Sequence, residues 1–183
     1  MLDAPVTGGQ RGAIAGTLTI MVGGKQETFE RCKDILQAMG QNIVYVGESG
    51  MGAAVKLTNQ IIVGITVLAI AESVIFGAKL GIDPKIQFQV LSTGVARSFI
   101  LENLYPSPGI VPHSPASHDF APGFMTSLMS KDMGLIMSAA NELKAPLMMC
   151  SLAHQLYEAA CAGGLGQKDM SSVINLLRRL SGD

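Results

Sequence analysis

Net charge is what this chain has least of. Its 183 residues carry 13 basic against 14 acidic side chains, a formal charge of −1. That balance offers no broad attraction for polyanions, so nucleic acid and an anionic membrane surface are not expected partners. Cysteine is scarce too. Cys32, Cys150 and Cys161 are odd in number, widely spaced and set in apolar helical patterns, which predicts buried reduced thiols instead of a disulfide framework. His113, His118 and His154 show no ligand spacing with cysteine or acidic residues, so no metal site is expected. Met1-Leu-Asp-Ala-Pro-Val6 has neither a charged leader nor an Arg/Ser-rich amphipathic segment, and no targeting segment is visible. There is no nucleophile elbow. The Gly-x-x-Gly-x-Gly of residues 47–52 is neither a Walker loop nor a dinucleotide fingerprint, since its glycine spacing is reversed.

What the chain does have is apolar content, 48% of all residues, enough to bury one large or two small cores. Residues 1–46 change between patterns. Leu2–Val6, Thr17–Val22 and Ile43–Val46 are predicted as short strands, and Phe29, Cys32, Ile35, Leu36 and Met39 fall at helical spacing before a stop at Gly40. A strand-strand-helix-strand unit encloses little core and reads as the tail of a larger α/β sheet. From Gly50 onward the pattern is helical. The first helix is predicted from Gly50 to Lys79, roughly 45 Å at 1.5 Å per residue, ending at Gly81. Its uncharged stretch, Leu57–Ala71, is shorter than the ~20 apolar residues that span a bilayer, which predicts a buried helix. Asp83-Pro84 supplies an N-cap and a first-turn proline for a helix through Leu91. Arg97–Tyr105, Thr126–Leu143, Pro146–Ala162 and Asp169–Leu180 complete the helices. Pro106, Pro108, Pro112, Pro115 and Pro122 make residues 106–123 a surface loop, ordered or mobile.

Three places could carry chemistry, each with a plainer alternative. Lys56 and Asn59 follow a glycine-punctuated turn and share one face of the long helix. The lysine could equally snorkel outward. Thr7-Gly8-Gly9 follows a strand, and its backbone N–H groups could converge on a carboxylate or simply form a turn. Lys131 and Asp132, near Phe124, could be surface charges at a helix start.

The order Asp3-Ala-Pro-Val-Thr-Gly-Gly9, then Gly47-x-x-Gly-x-Gly-x-x-x-Lys56-x-x-Asn59, then Gly123-Phe124 followed by Lys131-Asp132 resembles the β-hydroxyacid dehydrogenase family, along essentially the whole chain. The resemblance implies that Lys56 is the catalytic acid/base, that Asn59 bonds the substrate and orients that lysine, and that Thr7, Gly8 and Gly9 hold the substrate carboxylate. It implies that Phe124 and Lys131 close over the nicotinamide end of NAD or NADP, with Asp132 supporting. Gln60 stands where many members carry a second asparagine.

The expected fold is mainly α: residues 49–183 form an all-helical substrate-binding and oligomerisation domain on the long helix, preceded in residues 1–48 by the last strands and helix of a Rossmann-type α/β domain. The expected reaction oxidises 3-hydroxyisobutyrate, or a similar 3-hydroxy acid, to its semialdehyde by hydride transfer to NAD, in valine catabolism. A tartronate semialdehyde reductase-like enzyme is one alternative; a non-catalytic oligomerisation module is another. Family members begin with a dinucleotide-binding loop that these residues lack. The chain therefore reads as a C-terminal portion, inactive by itself and part of a homodimer or homotetramer. The resemblance places it in the mitochondrial matrix of a eukaryote or the cytoplasm of a bacterium. A lysine titrating near ~10.4 would need desolvation or a nearby cation, such as Lys131, to work at neutral pH.

Overall fold

A computed structural model describes residues 1–182, which form two compact units, residues 1–60 and the residues from Ile61 onward. The first contains strands β1 (Leu2–Asp3), β2 (Val6–Thr7), β3 (Leu18–Gly24) and β4 (Gly40–Gly47) and helices α1 (Gly9–Ala15) and α2 (Gln26–Gln37). β3 is the centre. Six of its seven residues are buried, as its apolar sequence requires. β4 runs parallel to β3 along its length, with α2 as the crossover. β1 and β2 pair antiparallel with β3, at Gly23–Gly24 and Thr19–Ile20 respectively. Between them Pro5 cannot donate, yet its carbonyl accepts from Met21 N at 3.0 Å. Leu2–Thr7 is thus one edge strand broken at a proline.

Ile20, Val22, Phe29 and Leu36 form the core of this unit, with Ile43 and Tyr45 packed against them. Phe29 and Tyr45 stack with centroids 5.2 Å apart, and the Tyr45 hydroxyl donates to Gly24 O at 2.8 Å. Two expectations need correction. α1 was not predicted, because its short, glycine-containing sequence has little apolar period. Ile35 and Met39 are 68% and 48% exposed. Six residues on from Phe29 is 240° around a helix, so Ile35 falls outside the buried stripe.

α3 (Met51–Lys79) begins in the first unit and continues into the second, which also holds α4 (Pro84–Thr93), α5 (Phe99–Leu104), α6 (Thr126–Leu143), α7 (Met148–Ala160) and α8 (Val173–Leu180). Asp83 caps α4 by accepting from Lys85 N, with Pro84 in the first turn, as its sequence predicts. α6 buries Met129, Met133, Ile136 and Ala140, while α7 buries Cys150, Ala153, Tyr157 and Ala160. Both sets follow the i, i+3/i+4, i+7 spacing of one apolar face. The short link at residues 144–147 folds the two helices into a hairpin. On α3, Gly64 lets Met129, Met133 and Tyr157 approach its backbone. The Tyr157 hydroxyl donates to Gly64 O at 2.9 Å.

The proline-rich loop is ordered. Pro106 and Ser114 are buried, and Ser114 Oγ donates to Tyr105 O. Tyr105 lies edge-on to Phe88 and donates to Gln87 Oε1; burial pushes its pKa up to about 12. α3 departs from expectation. Its 29 residues are long and apolar enough to cross a bilayer by length and composition, yet only 33% of its apolar stretch is buried. Ile62 and Phe76 are 69% and 66% exposed. Chain packed on one side of a helix covers only that side, so an all-round apolar helix leaves the other uncovered. The thiols also divide. Cys150 is buried, whereas Cys32 and Cys161 are only half-buried.

Candidate active site

The start of α3 is built by contacts from far along the chain. Gly47 and Gly50 hold φ of 122° and 94°, turning the chain from β4 into the helix. Asp3 caps that turn: Oδ1 accepts from Gly50 N at 2.7 Å and Oδ2 from Ala53 N at 3.0 Å. Those two N–H groups, Gly50's first, hold the Asp3 carboxyl below its ordinary range. Gly52 is buried against β3. A methyl there would stand 2.5 Å from Met21 O, and one on Gly23 would stand 2.8 Å from Gly52 N. Only glycine at both positions allows the helix to seat this closely.

Lys56 and Asn59 lie four and seven residues beyond Gly52, so all three share one side of α3. Both are half-buried. The Asn59 amide donates to Gln60 Oε1 at 3.0 Å, and Gln60 is only 3% exposed. The Asn-Gln pair is a linked hydrogen-bonding unit, with the Asn59 amide tied to the buried Gln60 side chain.

Thr7 ends β2 opposite Thr19, and Gly8 and Gly9 follow at φ 128° and 63°, conformations that favour glycine. The turn is exposed at Gly8 and Gly9 and opens directly into α1, with no side-chain cap. It meets β3 at Thr19, whereas the start of α3 meets it from Met21 to Gly23. Two to four residues of strand separate these levels, roughly 7–13 Å. Both candidate groups are therefore organised by the same central strand, at different levels.

In the second unit, Phe124 is half-buried just before α6, and Lys131 is exposed on that helix. Lys131 Nζ lies 3.0 Å from Asp132 Oδ1, and Asp132 is 8% exposed. Asp132 is thus no solvated surface charge, contrary to the plainer sequence reading. No cluster of three or more metal-ligating side chains occurs among the described residues.

Sequence reasoning gave Asp3, Gly23 and Asp169 no part in holding the site. Asp3 and Gly23 act on residues dozens of positions away, and no local pattern marks them. Asp169 carried a legible signal, an acidic residue two before Ser171 at a helix start. In the structure it caps the turn Met170–Ser172.

A family profile described as "NAD-binding of NADP-dependent 3-hydroxyisobutyrate dehydrogenase" matches residues 50–177, and one described as "NAD binding domain of 6-phosphogluconate dehydrogenase" matches residues 1–47. The chain is 43% identical over 98% of its length to a probable mitochondrial 3-hydroxyisobutyrate dehydrogenase of Dictyostelium discoideum, covering 56% of that protein. It is 40% identical to the human mitochondrial 3-hydroxyisobutyrate dehydrogenase over 97% of its length, covering 53% of the relative. It is 38% identical to the 2-(hydroxymethyl)glutarate dehydrogenase of Eubacterium barkeri, covering 99% of this chain and 58% of the relative. Among solved structures, the Mycobacterium tuberculosis 3-hydroxyisobutyrate dehydrogenase with L-serine superposes with a TM-score of 0.90 at 40% identity, over 97% of this chain and 60% of that one. The chain spans about half the length of the curated relatives it matches.

Proposed function

This chain belongs to the β-hydroxyacid dehydrogenase family, a family of NAD(P)-dependent enzymes, and we propose that it serves the oxidation of 3-hydroxyisobutyrate or a closely related 3-hydroxy acid to its semialdehyde. The observation that carries this reading is the start of α3. Asp3 and Gly52 seat the first turn against β3, and Lys56 and Asn59 follow on the same helix side. A half-buried lysine held on a fixed helix turn suits a proton acceptor.

In this reading Lys56 Nζ, as the neutral amine, takes the hydroxyl proton of the substrate. Asn59, held by Gln60, orients the reacting oxygen, and Thr7, Gly8 and Gly9 receive the carboxylate through backbone N–H groups. In the same reading Phe124 lends an aromatic side chain and Lys131 an ammonium to the nicotinamide end of the dinucleotide, and Asp132 pairs with that ammonium. The nicotinamide, when bound, supplies the hydride acceptor. The Gly-x-Gly-x-x-Gly loop that would hold its pyrophosphate is not among these residues.

Residues 1–48 belong, in this proposal, to the dinucleotide-binding domain and residues 49–183 to the mainly α substrate-binding domain. The two profile matches, which meet at residues 47 and 50, support that division. The uncovered apolar side of α3 supports assembly into a homodimer or homotetramer. Valine breakdown is the setting this substrate implies. A mitochondrial location in a eukaryote rests on the names of the Dictyostelium and human relatives, and a bacterial chain would act in the cytoplasm.

Lys56→Ala in the active enzyme carrying this chain tests the reading. Turnover should fall by about 10²–10⁴-fold with the KM for the hydroxy acid little changed, the range for loss of a general base. Near-normal turnover would remove Lys56 from the mechanism.

A further inference from the structure

We propose that Asp169 is a positioning residue for the cofactor contact of Phe124, an inference that rests on the reading of Phe124 given above. Asp169 is 1% exposed. Its Oδ2 accepts from the backbone N–H groups of Gly123 and Phe124, both at 3.1 Å. Its Oδ1 accepts from Ser171 N at 3.0 Å and Ser171 Oγ at 2.7 Å. The turn that carries Phe124 is therefore tied to a buried carboxylate 45 residues further along the chain.

The other side of the same residue is held as well. Met170 N donates to Phe124 O at 2.9 Å, so Phe124 is gripped through its N–H by Asp169 and through its carbonyl by the next residue. Asp169 N donates to Phe120 O at 2.9 Å, and Thr126 N donates to Lys168 O at 2.9 Å. Lys168 Nζ completes the clamp by donating to the Asp119 carbonyl at 3.0 Å and pairing with its carboxylate. Asp119 and Phe120 both adopt positive φ, 50° and 54°, which non-glycine residues hold only under constraint from their surroundings. Lys168, Asp169 and Met170 supply that constraint. They hold the segment from Asp119 to Phe124 through its backbone, and so fix the position from which the half-buried Phe124 side chain starts.

The chemistry makes Asp169 irreplaceable by its isostere. A carboxylate offers two accepting oxygens, and the site presents donors to both. Asparagine has one accepting oxygen and one donating nitrogen, so at least one backbone N–H, of Ser171 or of Gly123 and Phe124, would face a donor.

The test measures KM for NAD(P) and for 3-hydroxyisobutyrate separately, in the active enzyme carrying this chain. Asp169→Asn is expected to raise the cofactor KM about tenfold or more, as for a lost hydrogen bond to a charged group, with the hydroxy-acid KM changed less than about twofold. Hydrogen exchange at the Gly123 and Phe124 amides should quicken in the same variant. Ser171→Ala, which loosens the carboxylate without removing it, keeps the question answerable if the asparagine variant does not fold; it should move the cofactor KM in the same direction by a smaller factor. Phe124→Ala tests the underlying reading, and Ile136→Val lowers stability on α6 without touching the turn. A raised cofactor KM in Phe124→Ala with normal values in the folded Asp169 or Ser171 variants overturns the proposal and leaves the reading of Phe124 standing. An unchanged cofactor KM in Phe124→Ala overturns that reading and this proposal with it. An equal rise in Ile136→Val also overturns it, because the effect would then be general loosening.

Discussion

Asp3 and Gly52 share a space with no room for a side chain at position 52: a methyl there would lie 2.7 Å from Asp3 Oδ2 and 2.8 Å from Asp3 O. Gly52→Ala should therefore cost about 1–3 kcal/mol, the range for overpacking against backbone that cannot move aside. Gly163→Ala is the comparison, since its nearest neighbour would be Arg179 Nη1 at 3.6 Å, ordinary contact. Urea denaturation checks both. Equal midpoints for the two variants would contradict the close seating of α3 on β3.

The Asp3 cap predicts a pH dependence. Backbone N–H groups of Gly50 and Ala53 hold its carboxyl below the ordinary 3.8, so the folded state favours the carboxylate. Its stabilisation is complete above pH 3.8 and is lost as pH falls through the lowered folded value. Asp3→Asn should lower the melting temperature at pH 6, and the gap from the unsubstituted chain should narrow below about pH 4. A gap that stays constant down to pH 2 would exclude the cap as its source.

Tyr157 is fully buried and donates to a backbone carbonyl of α3. Removing only the hydroxyl in Tyr157→Phe should cost roughly 1 kcal/mol, or somewhat more because Gly64 O is left beside an apolar ring. Thermal and urea unfolding measure it, and a more stable variant would show that the bond is not formed in solution.

Ile62 and Phe76 expose apolar surface on α3, and Leu180 is 70% exposed at the end of α8. The chain should elute as a dimer or larger species, with Phe76→Glu or Leu180→Glu shifting the mass toward monomer. Light scattering after size exclusion reads the mass directly; a monomer at micromolar concentration would remove the oligomer from the proposal.

Much of the architecture could be read from local pattern. Thr126–Leu143 was bounded correctly because its apolar period is regular and the chain reverses at Lys144, and α4 was found from Asp83-Pro84 alone. The candidate residues were legible as types in order: Thr7-Gly8-Gly9, Lys56, Asn59, Phe124 and Lys131 each sit in a short motif. What could not be read is what holds those motifs in place. Asp3 reaches 50 residues to Ala53, and Asp169 reaches 45 back to Phe124. Such pairs leave no periodic trace, because each partner's own neighbourhood satisfies its local propensity without the other.

Sequence alone thus determined the family and, α1 apart, the order of elements, and it supplied the candidate side chains, since all three depend on residue type and short spacing. Tertiary structure decided which glycines are there for close approach instead of for turning, which carboxylates are buried, and which side of α3 is left uncovered. Those are properties of the space between segments. That space exists only once distant backbone groups have met, and the donors and acceptors they bring then dictate that Asp3 and Asp169 must be carboxylates.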